Sequence, residues 1–470
     1  MRTLIKNGRI ATAGDLFQGS ISIEDGVIQE IGCDISGSFD HVIDAAGKLV
    51  IPGGIDVHTH LHLHTGSAIA RDDFYTGTVA AACGGTTSII DHMGFGPAGC
   101  SLMHQLGVYH QHARDHAVID YSFHGVIQHV NSEILDQLED MIEKEGISSF
   151  KLYMTYDYKI PDVEILNLMQ KLKTVGSILT IHAENHEIIE YLRSKFMREG
   201  AAAPIYHALS RPDYCEADAV NRVISLAAAV GFAPLYIVHL SSALGLKHII
   251  SASASGQTVY SETCPQYLLL NEECYNQELD EGLKYILSPP LRKKADNEAL
   301  WEGIRQGYIQ VVATDHCPFT IGIDKQKGRG DFSKCPNGLP GVEERIPLMF
   351  SEGVMKGRLS INKMVEVCCT NPAKVFGMYP KKGTLLPGSD GDIVIIDPNK
   401  EVTLRQSMLH SNVDYSAYEG FMLRGYPVMT LSRGEVIVHH NEFIGQQGRG
   451  VFVKRERGYQ FDCTIDYPNK

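Results

Sequence analysis

The chain has 470 residues, 44% of them hydrophobic and 21% charged, which suits one large α/β domain with a smaller companion rather than one small core. Its formal charge is −14, from 42 Lys and Arg against 56 Asp and Glu, with no long block of like charge. Such a surface repels phosphate backbones and anionic headgroups, which argues against nucleic acid and membrane surfaces as partners.

The opening MRTLIKNGRIATAGD lacks the apolar core of a secretory signal, and nowhere do about eighteen apolar residues run together as a membrane helix needs. Eleven cysteines without a C-x-x-C pair read as reduced thiols, so a cytoplasmic location is expected, with Cys368 and Cys369 as core packing. Residues 1–52 read as β structure: TLIKNGRIAT, SISIEDGVIQEIG and HVIDAAGKLVIPG are β-branched runs broken by Asn-Gly, Asp-Gly and Ala-Gly turns. From 53 to 378 apolar strand-like runs alternate with helical stretches such as LMHQLGVYHQHARDHA and EADAVNRVISLAAAVG. The runs are IDVHTH, TTSIIDH, AVIDYSFHGV, SSFKLYMTY, ILTIHAEN, PLYIVHLSS, TVYSETC and IQVVATDH. Eight strand–helix units predict a (β/α)8 TIM-type barrel. An open doubly wound sheet is the alternative, and the lack of a G-x-G-x-x-G turn removes its nucleotide-binding version. Residues 379–455 return to β texture in GDIVIIDP, PVMTLSRGEVIVHHNE and RGVFVKR. Both β-rich ends are expected to pair into one small β-sandwich, leaving 456–470 as a tail; the basic run KRERG reads as a solvated strand end.

Several barrel runs end in a polar, metal-competent residue: His58 and His60, Lys151, His182, His239 and Asp315. The C-terminal ends of barrel strands converge on one mouth, where active sites of this fold lie. In a strand, residues i and i+2 share a face, so His58 and His60 can ligate one ion together. The run continues as HTHLHLH, which a surface His-rich tract would also explain. Company from three other strands favours a metal site over that tract. Lys151 follows Phe150 in an otherwise buried run and has two readings. Its stem packs while its head reaches solvent, or its neutral amine adds carbon dioxide and the carbamate bridges two cations about 3.5–4 Å apart.

These segments together resemble the cyclic amidohydrolases, specifically the hydantoinase and dihydropyrimidinase branch. The resemblance runs nearly end to end through PGGIDVHTH, DDFYTGTVAAACGGTTSIIDH, SSFKLYMTY, HAEN, PLYIVHLSS, ETCPQYL, SPPLR, ATDHCPF, PNGLPGVE, NPAKVFG and GSDGDIVIIDP. Within that branch, IIDHMGFGPAGC and VIDYSFHGVIQHVN look most like the bacterial D-phenylhydantoinases. The resemblance implies two divalent ions, zinc, in the barrel mouth. His58 and His60 would hold the more buried ion with Asp315, His182 and His239 would hold the other, and Lys151 as N6-carboxylysine would bridge them together with a hydroxide. It also implies substrate contacts from Tyr156, Ser288 and Asn337, which residue patterns alone would leave as a packed tyrosine and two turn residues. The implied reaction is attack of the bridging hydroxide on a ring carbonyl of a 5-substituted, D, aryl hydantoin, yielding an N-carbamoyl amino acid. In it Tyr156 donates to the oxyanion and Asp315 acts as base and then acid. A homotetramer and a small-molecule substrate come with the same resemblance.

Dihydroorotase is the nearest enzyme rival, and its branch would place an arginine where this chain has His62. Dihydropyrimidinase and allantoinase stay open as alternatives. A non-catalytic scaffold of the same fold would have lost metal ligands that are all present here. Phe95 and Tyr153 are expected to wall the space for the 5-substituent, while His62 and His64 are assigned no ligand role.

Overall fold

The computed structural model describes residues 1–457, and its first five strands are β1 (Arg2–Ala11), β2 (Leu16–Glu24), β3 (Val27–Gly32), β4 (His41–Asp44) and β5 (Leu49–Pro52). Asp25 and Gly26, between β2 and β3, have φ of 49° and 86°, the doubly left-handed backbone of a two-residue hairpin. The Asn7-Gly8 pair is not a turn. It sits at a register shift inside β1, with Asn7 at φ 60°, so the signal marks a bulge.

The barrel strands follow: β6 (Gly54–Thr59), β7 (Thr86–His92), β8 (Asp120–Val126), β9 (Ser149–Tyr153), β10 (Ile178–His182), β11 (Leu235–Ile237), β12 (Val259–Thr263) and β13 (Val311–Val312). All eight predicted runs carry one of them. They are hydrogen-bonded in sequence order and parallel. Closure between the first and last is made by His60 N–H donating to the His316 carbonyl (2.9 Å) and a Thr59–His316 bridge. Helices cover the outside, among them Leu102–Ala113, Asp162–Val175, Asp213–Ala229 and Lys294–Arg305. The first starts at Ser101, whose hydroxyl accepts the His104 N–H at 3.1 Å, a standard N-cap.

Strand alternation sorts the side chains into two cores. On β9, β10, β11 and β13, Phe150, Leu179, Ile181, Leu235, Ile237 and Val312 belong to the layer between strands and helices. Their neighbours Ile178, Tyr236 and Val311 point inward, where Ile55, Val57 and Ile90 join them. Ala373, Val375, Phe376 and Val453 complete that inner cluster. A packed interior of this kind leaves chemistry to the mouth.

The chain ends return as β14 (Ile393–Thr403), β15 (Met422–Ser432), β16 (Glu435–His439) and β17 (Glu442–Phe443). β14 pairs antiparallel with β5, so one nine-stranded sheet runs from β17 through β14, β5, β1 and β2 to β3, with β4 beside β1. The sheet curls until its far parts touch: Gly391 N–H donates to the Gly26 carbonyl (2.7 Å) and Gly434 N–H to the Gly391 carbonyl (2.9 Å). Inside lie Ile5, Ile21, Ile28, Val50, Ile393 and Leu431, all buried. Between barrel and sheet, the buried ammonium of Lys382 reaches Asp120 (2.6 Å), Asp392 (2.7 Å) and Asp390 (2.8 Å).

In the basic run near the C-terminus Lys454, Glu456 and Arg457 are exposed as expected, but Arg455 is buried. Gly450 to Arg455 leave the sheet and run against β8, with Val453 N–H donating to the Tyr121 carbonyl at 2.7 Å. Arg455 is 3% exposed, and its guanidinium donates to Ser122 Oγ (2.9 Å), Ser149 Oγ (2.9 Å) and the Phe123 carbonyl (2.5 Å). A buried arginine whose partners are neutral oxygens closes the barrel floor under Phe376. The expected tail lies, from residue 458 onward, outside the described residues. Among the described residues no helix is long and apolar enough to cross a membrane, and ten cysteines are unpaired.

Candidate active site

The nine residues expected to hold metal or grip the substrate ring all line one cavity of about 650 Å³ at the barrel mouth. His58 and His60 leave β6, Lys151 sits on β9, His182 ends β10, and His239 and Asp315 follow β11 and β13. Three of the nine need unusual backbone. Tyr156, His239 and Asp315 have φ of 72°, 39° and 54°. Left-handed backbone costs a non-glycine residue about 1–3 kcal/mol and concentrates at functional sites. At His239 its effect is visible: Tyr236 and Val238 face inward, so strict alternation would turn His239 out, and the left-handed step brings it back to the cavity.

His58 and His60 converge on one oxygen, with their Nε2 atoms 3.0 and 3.1 Å from Asp315 Oδ1. His239 approaches His58 to 5.3 Å and His182 to 4.5 Å between ring centroids. Ligand atoms of His58, His239 and Asp315 lie within 4.8 Å of one another, and so do those of His58, His60 and His92. Lys151 is 1% exposed, so its head does not reach solvent, and its Nζ lies 5.2 Å from the Tyr153 ring. The Tyr156 ring stands 5.4 Å from His182, with the Arg211 guanidinium 5.3 Å from its face.

The electrostatics separate the groups. Burial alone would lower the His58 imidazole, but Glu262 and Asp315 on its two sides hold it up at about 9. Burial carries His60 down to about 4 despite Asp315. Burial acts to raise Asp315, yet His58 and His60 hold it well below the usual carboxylate range. Burial lowers the Lys151 ammonium to about 8, with Asp315 and Glu262 pulling the other way. Tyr156 is raised by burial and stays a phenol.

The donor set fits divalent cations. His60 Nδ1 and His239 Nδ1 are buried without a hydrogen-bond partner. His58 Nδ1 is held by Glu262 Oε1, which turns Nε2 to the cavity, the carboxylate–imidazole arrangement that orients metal-ligating histidines. Glu262 also accepts from the Tyr236 hydroxyl (2.8 Å) and the His239 N–H (3.1 Å). His182 Nε2 is 2.7 Å from Glu184 Oε2, which Arg211 Nη1 reaches at 2.6 Å.

Glu262, Glu184, Arg211 and His92 escape a sequence reading. The runs SETC and HAEN carried the carboxylates, but the partners of Glu262 and the Arg211 that holds Glu184 are distant in the chain. His92 ends its strand as the recognised residues do, and it sits buried 4.3 Å from His58 and 4.4 Å from His124. Tyr153 lines the cavity as expected. Phe95 does not; it backs Tyr158, a lining residue, at 4.4 Å. His62 packs on His112 at 4.3 Å, away from the cavity.

Residues 49–437 match the amidohydrolase family. The D-phenylhydantoinase of Escherichia coli O1:K1 / APEC is 54% identical over 457 residues, covering 97% of this chain and 98% of that protein. Among solved structures, the dihydropyrimidinase from Brevibacillus agri NCHU1002 superposes with a TM-score of 0.96 at 42% identity, and D-hydantoinase from a Bacillus sp. AR9 with 0.95 at 44%. Each covers 97% of this chain and is itself 99% covered.

Proposed function

The chain belongs to the amidohydrolase family, and from that membership we propose that it hydrolyses the cyclic amide ring of 5-substituted hydantoins, D and aryl-substituted, to N-carbamoyl amino acids. One observation carries the reading: three imidazole-bearing strand ends, a buried lysine and a strained aspartate meet in a single cavity. The 54% identity to a D-phenylhydantoinase supports the substrate.

His58, His60 and Asp315 would hold one divalent cation and His182 and His239 a second, both zinc, with Lys151 as N6-carboxylysine between them. Such a pair supplies Lewis-acid polarisation of the carbonyl and a more acidic water. The lowered Lys151 supports the carbamate, because carbon dioxide adds to the neutral amine and releases its proton. Asp315, an acceptor down to low pH, takes a proton from the attacking water and delivers it to the leaving ring nitrogen. Tyr156 keeps its proton and donates to the oxygen that gains charge, a contact stronger in the transition state than in the substrate. Backbone around Ser288 and Asn337 holds the –CO–NH–CO– edge. Tyr153 and Tyr158 offer an aromatic wall to the 5-substituent. The same reading makes the enzyme a cytoplasmic homotetramer.

A panel of hydantoin, 5-phenylhydantoin, dihydrouracil and allantoin tests the substrate, with zinc and bicarbonate supplied during expression. Preference for dihydrouracil would favour a dihydropyrimidinase, the activity named for the Brevibacillus structure. Lys151→Ala should remove metal and reduce turnover by roughly three orders of magnitude. Short carboxylates should restore part of it. Full metal content and rate in that variant would rule out the bridge.

A further inference from the structure

Lys325 is wholly buried, in a short helical turn (Lys325–Gly328) beside the cavity. Its ammonium donates to three main-chain carbonyls, of Ile286 (2.6 Å), Gly338 (2.8 Å) and Pro336 (3.0 Å). None of the three is a carboxylate, so the buried ammonium makes its hydrogen bonds to carbonyl dipoles, and burial lowers its pKa while neighbours including Asp324 pull the other way. Those carbonyls are not random. Ile286 lies two residues before Ser288, and Pro336 and Gly338 flank Asn337, the two residues read above as gripping the ring edge. Gly338 N–H also donates to the Ile286 carbonyl at 3.1 Å, tying the two segments directly.

In a trans peptide the carbonyl and the following N–H point opposite ways. Drawing the Pro336 carbonyl toward Lys325 therefore turns the Asn337 N–H to the other side, where Asn337 lines the cavity. Around Ser288 the neighbouring carbonyls are held as well, Leu287 by His207 Nε2 and Pro289 by the Tyr267 hydroxyl, each at 2.7 Å. The preceding residue anchors the same turn to the loop that follows β6: Asp324 takes both Arg71 Nε (2.7 Å) and Arg71 Nη2 (2.8 Å).

We propose that Lys325 is a positioning residue for ring recognition, its ammonium fixing the Ser288 and Asn337 segments so that their main-chain groups meet the –CO–NH–CO– edge of the substrate. This rests on the hydantoinase reading, and the outcomes separate the two. Lys325→Met keeps the chain length and removes the charge; Lys325→Gln keeps one donor group. Each variant is measured for KM and kcat on 5-phenylhydantoin, zinc content, thermal unfolding and inhibition by acetohydroxamate, a small chelator that needs the metal centre but not the ring-edge contacts.

The expected result for Lys325→Met is a KM raised about tenfold or more, with kcat within about threefold, and unchanged zinc content and hydroxamate inhibition. Lys325→Gln should fall between. An unchanged KM in a folded, zinc-loaded variant overturns the proposal. A KM increase matched by equal loss of zinc and hydroxamate binding overturns it too, since that is general damage. Failure of both variants to fold assigns Lys325 to stability alone. If the wild-type chain opens no ring in the panel, the hydantoinase reading itself falls and this inference with it.

Discussion

Glu262 reaches no substrate, yet it touches His58, His239 and Tyr236 at once. A carboxylate behind an imidazole fixes which nitrogen carries the proton and raises the basicity of the other. Glu262→Gln keeps the shape and removes the charge, and we expect metal affinity to fall by about 10- to 100-fold, read by chelator competition. Equal affinities would remove Glu262 from the metal centre. At this scale the sequence was legible where chemistry interrupts an apolar run, as at His58, His60, His182 and Asp315. It was legible only through resemblance at Ser288 and Asn337, whose proposed role lies in the main chain and leaves no side-chain pattern to read. Glu262 stayed hidden because its three partners lie 23 to 204 positions away.

At the scale of elements, the eight barrel strands were readable because alternation and helix-length spacing are local properties. Where elements meet, local pattern fails. The run GDIVIIDP read as β texture, yet Asp392 within it and Asp390 just before it close on Lys382 together with Asp120 from β8. Three acids this close resemble a cation site, and Lys382 supplies the charge at its centre, with Arg433 on Asp120 at 3.0 Å. The charges of the acids outweigh burial and raise the Lys382 pKa. Lys382→Met would leave buried carboxylates facing one another across the junction of barrel and sheet. A loss of about 3–5 kcal/mol is expected in chemical denaturation. A variant as stable as the parent would mean the acids protonate without cost.

For the whole molecule, stability should carry the mark of Glu344. Burial, with Glu343 beside it, raises this carboxyl from 4.5 to about 7, and Ser416 donates to it at 2.9 Å. Between those values the folded chain keeps a proton that the unfolded chain has released. Stability therefore falls as pH rises through that window, and the cost is fully present above about 7. Glu344→Gln should be more stable than the parent at pH 8 by a few kcal/mol at most, with the advantage gone at about pH 4. A constant difference across that range would contradict the shift.

The barrel floor has a consequence in time. Gly450 to Arg455 lie against β8, yet a ribosome makes β8 more than three hundred residues earlier. A growing chain can thus expose all eight strands while Ser122, Ser149 and Phe376 still wait for their guanidinium. These last barrel contacts wait until residue 455 has been made. Until then the nascent barrel is open below, which makes the interval between its eighth strand and residue 455 the period when chaperone protection matters most.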